Sequence, residues 1–71
     1  MMKPIAALGQ IGRKNVLVCL KGNREFRGML DGYDPHMNLV LVNASEYHDG
    51  GLVRSHDVVI VRGDNVIYIS P

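Results

Sequence analysis

From Asn15 onward the chain is written in short runs of apolar, β-branched and aromatic residues with a period near two, and no connection between them has space for a helix. "NVLVCL" (15–20) is followed by "KGN", where Gly22 can take a positive φ. Then come "REFRGMLDGYD" (24–34), "HMNLVLVNA" (36–44), the polar segment "SEYHDGGL" (45–52), "SHDVVIV" (55–61), the turn "RGDN" (62–65) and "VIYIS" (66–70). Parallel neighbours need a crossover of about a dozen residues or more. The connections here are shorter, so the spacing predicts five strands in a mainly antiparallel sheet. Gly28 and Gly32 interrupt the second run, and glycines inside a strand mark bends or bulges. The expected fold is all-β with a small helical addition: a strongly bent five-stranded antiparallel sheet forming a small open barrel. Ahead of it, "KPIAALGQ" (3–10) reads as a short helix. Pro4 suits a first helical position, Ile5 and Leu8 share a face, and Gly9 or Gly12 can end it. One domain, residues 1–71, accommodates all of this.

Such a chain has too little interior to be robust alone. A domain of this size buries only about 60% of the surface its unfolded form exposes. Small domains compensate with disulfides, a metal or further copies of themselves. The single cysteine, Cys19, cannot form an internal disulfide, and its place in "VLVCL" predicts a buried, inert thiol. Cys19, His36, His48 and His56 show neither CxxC nor HxxxH spacing, so neither a metal nor another cofactor is expected. Self-association is the staple that remains. The last two runs agree: "VVIV" and "VIYI" lack polar alternation, and a strand apolar on both faces needs cover on both. Open edges of this kind aggregate unless a defined head-to-tail contact takes them up, and such a contact makes a ring when its rotation closes.

Charge and hydropathy narrow the partners. Hydrophobic residues make up 46% of the chain and the net charge is +1. No apolar run approaches the roughly 20 residues of a membrane helix. "MMKPIAALGQIGR" is too short and interrupted for a secretory signal. A soluble, cytoplasmic protein without a membrane partner is expected. Near-neutral charge argues against a nucleic acid held by bulk electrostatics, so any such binding must be local.

One place has the equipment for that. "DPHMN" (34–38) lies between two apolar stretches, and Asp34 and Pro35 set a turn. If the third strand begins at His36, residues two apart share a side, so Met37, Leu39 and Leu41 face a core while His36 and Asn38 face away together. An imidazole is a plate on which a nucleobase can stack, and a carboxamide presents a donor beside an acceptor. Arg62 offers a second, cationic plate, and Gly63 permits close backbone approach.

Two motifs in order then resemble the Sm and Sm-like (Lsm) family of RNA-binding proteins, over residues 3–71. The first is "VCLKGNREFRGMLDGYDPHMNLVLVNASE", with Gly22, Phe26, Gly28, Leu30, Tyr33, Asp34, Asn38, Leu39, Leu41 and Glu46 where the family places them. The second is "VVIVRGDNVIYIS", with Ile60, Arg62, Gly63 and Val66 in register. The resemblance implies an N-terminal helix before a bent five-stranded sheet, and rings closed by pairing strand four of one subunit with strand five of the next. The archaeal type is expected to be a homo-heptamer, with six and eight subunits left open by the sequence. It further implies a uridine pocket in which a base stacks between His36 and Arg62, Asn38 reads its edge, and the backbone at Gly63 and Asp64 completes the contact. Uracil O4 accepts and N3–H donates, so one fixed amide can answer both. Asp34 or Asp64 is expected to fix it by accepting a hydrogen bond from the Asn38 NH₂. The expected function is a non-enzymatic RNA scaffold or chaperone that binds single-stranded, U-rich RNA. The alternative is a structural homo-oligomeric ring whose main partner is another protein.

The remaining polar residues carry less. Arg24 and Arg27 flank Phe26 and read as a solvated face; Tyr33 and Tyr47 read as packing or rim residues, and His48 and His56 as solvent-facing. Lys3, Arg13 and Lys14 form a small basic cluster around the helix. Asp34 with His36 lacks the nucleophile, metal cluster or phosphate loop of a catalytic site.

Overall fold

The computed structural model describes residues 2–71. Helix α1 (Pro4–Ile11) precedes β1 (Asn15–Leu20), β2 (Arg24–Tyr33), β3 (Leu39–His48), β4 (Gly51–Val61) and β5 (Val66–Ser70). Every pairing is antiparallel, and the spatial order is β4-β3-β2-β1-β5. β4 and β5 are the two edges and do not pair with each other, so the bent sheet stays unclosed, as the loop lengths and internal glycines led us to expect.

The bend has a steric cause. The β2–β3 register slips between Arg27 and Met29 and again between Leu30 and Gly32. At the first slip Gly28 lies against β3 so closely that an added Cβ would stand 2.8 Å from both Cα and Cβ of Ala44. Only a residue without a side chain lets the strands meet there. Inward-facing Val16, Val18, Leu20, Phe26, Leu30, Leu39, Leu41, Ala44 and Val61 form the core, and Leu8 of α1 closes one end of it. Docking Leu8 is what holds an eight-residue helix that could not persist alone.

Four expectations need correction. The segment 45–52 is not a loop but the arms of a hairpin: β3 continues to His48 and β4 starts at Gly51 instead of Ser55. Asp49 (φ 52°) and Gly50 (φ 83°) form a two-residue turn with both φ values positive, the geometry an Asp-Gly pair favours. Its tip is tied to the preceding hairpin, since Asn23 Nδ2 donates to Asp49 Oδ1 (2.6 Å) and Asp49 N–H to the Asn23 carbonyl (3.0 Å). Second, β3 begins at Leu39, not His36, so residues 34–38 are turn and loop. Third, His56 is not solvent-facing. It is half-buried, its ring 5.8 Å from that of Phe26 and its Nε2 2.8 Å from Glu46 Oε1. Cys19 is likewise half-buried rather than fully buried.

The edge strands carry the apolar residues whose cover the sequence reading looked for in another subunit. On β4, Val58 and Ile60 are 62% and 69% exposed; on β5, Ile67 and Tyr68 are 61% and 52% exposed. Among the described residues no helix is long and apolar enough to cross a membrane.

Candidate nucleic-acid interface

Two loops meet at one end of the sheet. The first, 34–38, joins β2 to β3; the second, Arg62 to Asn65, joins β4 to β5 through one 3₁₀ turn, Gly63–Asn65. Between them lies an open cleft of about 970 Å³, lined by His36, Asn38, Arg62, Gly63 and Asp64 among others. All the residues selected from the sequence for base recognition therefore converge, together with Asp34.

The convergence does not come from strand alternation. The first loop is organised by Asp34, whose Oδ1 accepts the backbone N–H groups of His36 and Asn38, each at 3.0 Å. This is the side-chain-to-backbone closure for which aspartate is favoured in turns. Met37 N–H donates to the Asp34 carbonyl (2.9 Å), and Asp34 N–H to the Asn38 carbonyl (3.2 Å). Met37 adopts a left-handed φ of 65° and packs half-buried against the core. Its burial helps hold a backbone conformation that a non-glycine residue otherwise resists.

The Asn38 amide is held on both sides. Its Nδ2 donates to Asp34 Oδ2 at 3.0 Å, and its Oδ1 accepts the Gly63 N–H at 2.7 Å. A carboxylate can only accept and a backbone N–H can only donate, so these partners fix which way the amide faces. Of the two candidate orienting carboxylates, Asp34 makes the bond. Asp64 instead accepts from Arg62 Nη2 at 3.4 Å, both side chains being well exposed. One N–H and one lone pair of the amide remain free, a donor and an acceptor in fixed positions. The Asn38 NH₂ is also the main reason the Asp34 carboxyl is held below its ordinary pKa, helped by the backbone N–H groups of Asn38 and His36 and by the nearby His36 ring, against an opposing push from burial.

Gly63 does more than permit approach. A Cβ there would run into the His36 carbonyl oxygen and stand 2.8 Å from the Met37 carbonyl carbon. The two loops touch backbone to backbone, and that contact brings the Gly63 N–H to Asn38. The sequence marked Gly63 as a place of close approach but gave no sign that its N–H serves the amide. It assigned Val40 and Ile60 no place in the cleft and read Tyr33 as a packing or rim residue; all three line the cleft, which extends toward the free edge of β4. Their apolar or amphipathic character reads equally well as packing. Of the basic cluster near the helix, Arg13 pairs with Asp31 at 2.8 Å.

A bent, unclosed antiparallel sheet with a short helix at its start and a polar cleft built from its second and fourth interstrand loops is the architecture of an Sm-type domain. Comparison with known proteins makes this specific. The family model of the LSM domain matches residues 7–71, and the chain belongs to that family. It is 54% identical over 69 residues to a protein of Methanococcoides burtonii described as snRNP Sm-like, covering 97% of this chain and 96% of the relative. A protein of the same description from Archaeoglobus fulgidus is 51% identical over 69 residues, covering 97% and 90%. Among solved structures, the Pyrococcus abyssii Sm protein in complex with a uridine heptamer superposes with a TM-score of 0.91 at 44% identity, covering 99% of each chain. A heptameric archaeal Sm protein superposes with a TM-score of 0.83 at 42% identity, covering 93% of this chain and 96% of that one.

Proposed function

We propose that this protein is a single Sm-like domain that assembles head to tail into a homo-oligomeric ring and binds single-stranded, U-rich RNA, one uracil per cleft, as a cytoplasmic scaffold or chaperone in RNA processing rather than as an enzyme. The observation that carries the reading is the doubly held amide of Asn38, between the Asp34 carboxylate and the Gly63 N–H. Its free N–H meets uracil O4 and its free lone pair accepts N3–H. His36 and Arg62 supply the two plates between which the base stacks, a contact worth about 1–3 kcal/mol per base. Gly63 and Asp64 close the cleft floor with backbone and turn.

The ring reading is supported by the free edges. Pairing β4 of one copy with β5 of the next removes both rows of unpaired backbone groups and covers Val58, Ile60, Ile67 and Tyr68. The similarity to a heptameric archaeal Sm protein favours seven copies, and the similarity to the Pyrococcus abyssii protein bound to a uridine heptamer favours uridine as the ligand.

The test is binding of oligo-U, oligo-C and oligo-A of equal length, read by fluorescence anisotropy, with the stoichiometry of protein and RNA taken from native mass spectrometry. Oligo-U is expected to bind well ahead of the others to a closed ring. A closed ring indifferent to all three would favour the alternative, a ring whose main partner is another protein.

A further inference from the structure

Met37 stands where two hollows meet. The polar cleft lies on one side of it. On the other, a groove of about 300 Å³ runs between α1 and β5, walled by apolar residues such as Leu8, Ile11, Val66 and Ile69. Among the described residues only Met37 and Gly63 line both. Gly63 has no side chain, so the thioether chain of Met37 is the one side chain shared between them.

The same residue holds the loop in shape. Its φ of 65° is costly for a residue with a side chain, and its packing against the core offsets that cost. Its N–H donates to the Asp34 carbonyl at 2.9 Å. Its carbonyl group lies against Gly63, where an added Cβ would stand 2.8 Å from the carbon and 2.9 Å from the oxygen. His36 and Asn38 flank it in the chain, so whatever displaces Met37 displaces both. Met37 is half-buried and borders an open cleft, which leaves it within reach of a small solute. Neither Met2, exposed ahead of the helix, nor Met29, half-buried within paired β2, lines the cleft.

We propose that Met37 is an oxidation-sensitive switch on the cleft: a peroxide converts its thioether to the sulfoxide, and the loop then lets His36 and Asn38 leave their reading positions. The sulfur lone pair attacks one peroxide oxygen, the O–O bond breaks, and the S–O bond forms. The proton on the transferred oxygen passes to the departing hydroxide, which leaves as water. Sulfur loses two electrons and the peroxide gains them. The product is polar where the thioether was apolar, so it no longer suits the groove and core that hold the side chain. The backbone conformation at Met37 loses its support, and with it goes the contact that brings the Gly63 N–H to Asn38 Oδ1. A methionine sulfoxide reductase supplied with a dithiol reverses the change, yielding thioether, disulfide and water. The consequence for RNA rests on the reading above, that the cleft takes uracil.

The test treats the whole protein with hydrogen peroxide, stops the reaction with catalase and locates each sulfoxide by peptide mass. Oligo-U affinity is expected to fall at least about tenfold in step with oxidation of Met37, and the preference over oligo-C to shrink. Sulfoxide reductase with dithiothreitol should restore both. Dithiothreitol alone, which returns an oxidised Cys19 thiol but not a sulfoxide, should not. Met37→Leu, whatever its starting affinity, is expected to change by less than about twofold on the same treatment. The Gly63 amide resonance should shift on oxidation without RNA present. Met37 left intact while Met2 and Met29 oxidise overturns the proposal, as does complete Met37 sulfoxide with unchanged oligo-U affinity and an unmoved Gly63 resonance. Should Met37→Leu not fold, reversal by the reductase decides. A protein that binds no oligo-U before treatment removes the functional reading, and the Gly63 resonance then decides whether oxidation releases the loop.

Discussion

Asn38 is where the chemistry of this chain is most sharply determined, because both ends of its amide are spoken for and only one donor and one acceptor are left to a ligand. Replacing Asn38 by Ala removes the reading group, and the preference for U over C is expected to fall by about 1–3 kcal/mol, the usual worth of a good bidentate base contact. Asp34→Ala leaves the amide held by the Gly63 N–H alone, so that its orientation is less firmly set, and it also releases the His36 and Asn38 N–H groups that shape the loop. Overall affinity should then drop modestly while the U-over-C ratio in competition binding falls toward one. A variant that kept the full ratio would show that Asp34 does not orient the amide. His36 separates stacking from hydrogen bonding: His36→Phe should retain most of the oligo-U affinity and His36→Ala should lose about 1–3 kcal/mol per base. Equal losses in the two variants would rule out a stacking role. Asp34 also carries a pH signature. Its carboxyl is held below the ordinary aspartate value of about 3.9, chiefly by the Asn38 NH₂. What it contributes is therefore fully present above that ordinary value and is lost as the pH falls through the lower, folded value. A carboxyl-detected NMR titration should place the Asp34 midpoint below the ordinary aspartate value, and Asn38→Ala should move it upward.

At the scale of elements, the bend depends on one close approach. Gly28→Ala puts a Cβ 2.8 Å from the Cα and Cβ of Ala44, between paired strands that have nowhere to move, and overpacking of this kind costs about 1–3 kcal/mol. Urea denaturation should show the midpoint falling with the slope unchanged. The same place shows what a sequence can and cannot convey. Gly28 inside a run of strand-forming residues announced a bend, because interior glycine is costly unless something needs the space. Connection lengths announced an antiparallel sheet for a similarly firm reason. Asp49-Gly50 carries the signal of a two-residue hairpin, but the polar composition of 45–52 masked it and the segment reads as a loop, since β3 carries Ser45, Glu46 and His48 on a part of the sheet that composition alone does not distinguish from a loop. At the cleft, residue types were legible and their arrangement was not. His36, Asn38 and Arg62 are informative by chemistry, yet they are gathered by the Asp34 turn, a left-handed Met37 and a backbone contact at Gly63. The first two are local to the 34–38 loop, and only the Gly63 contact joins two loops separated by more than twenty residues (the Asn38–Gly63 bond spans 25); none of them leaves a periodic trace in the sequence.

For the whole molecule, affinity must come from repetition, because a single cleft offers one stacked base and one amide contact and the chain has almost no net charge to add. Taking stacking and edge recognition together as about 4 kcal/mol gives a single-site Kd on the order of 1 mM. Nucleotides linked in one strand bring each later uracil to its cleft at an effective concentration on the order of millimolar or somewhat above. Each added uridine should then improve the Kd by at most about tenfold, and the gain should stop when the strand has visited every cleft in the ring. A plot of log Kd against oligo-U length is expected to fall and then flatten, and the break counts the subunits without reference to any related protein. Salt supplies the control. Single-stranded RNA bound through neutralised phosphates loses affinity with a log–log slope of about −0.7 per phosphate. A base-reading ring should show a shallow slope that hardly grows between the break and longer strands. Affinity that rises without a break, and falls steeply with salt, would mean that the backbone rather than the base is being held, and the cleft built on Asn38 would then need another ligand.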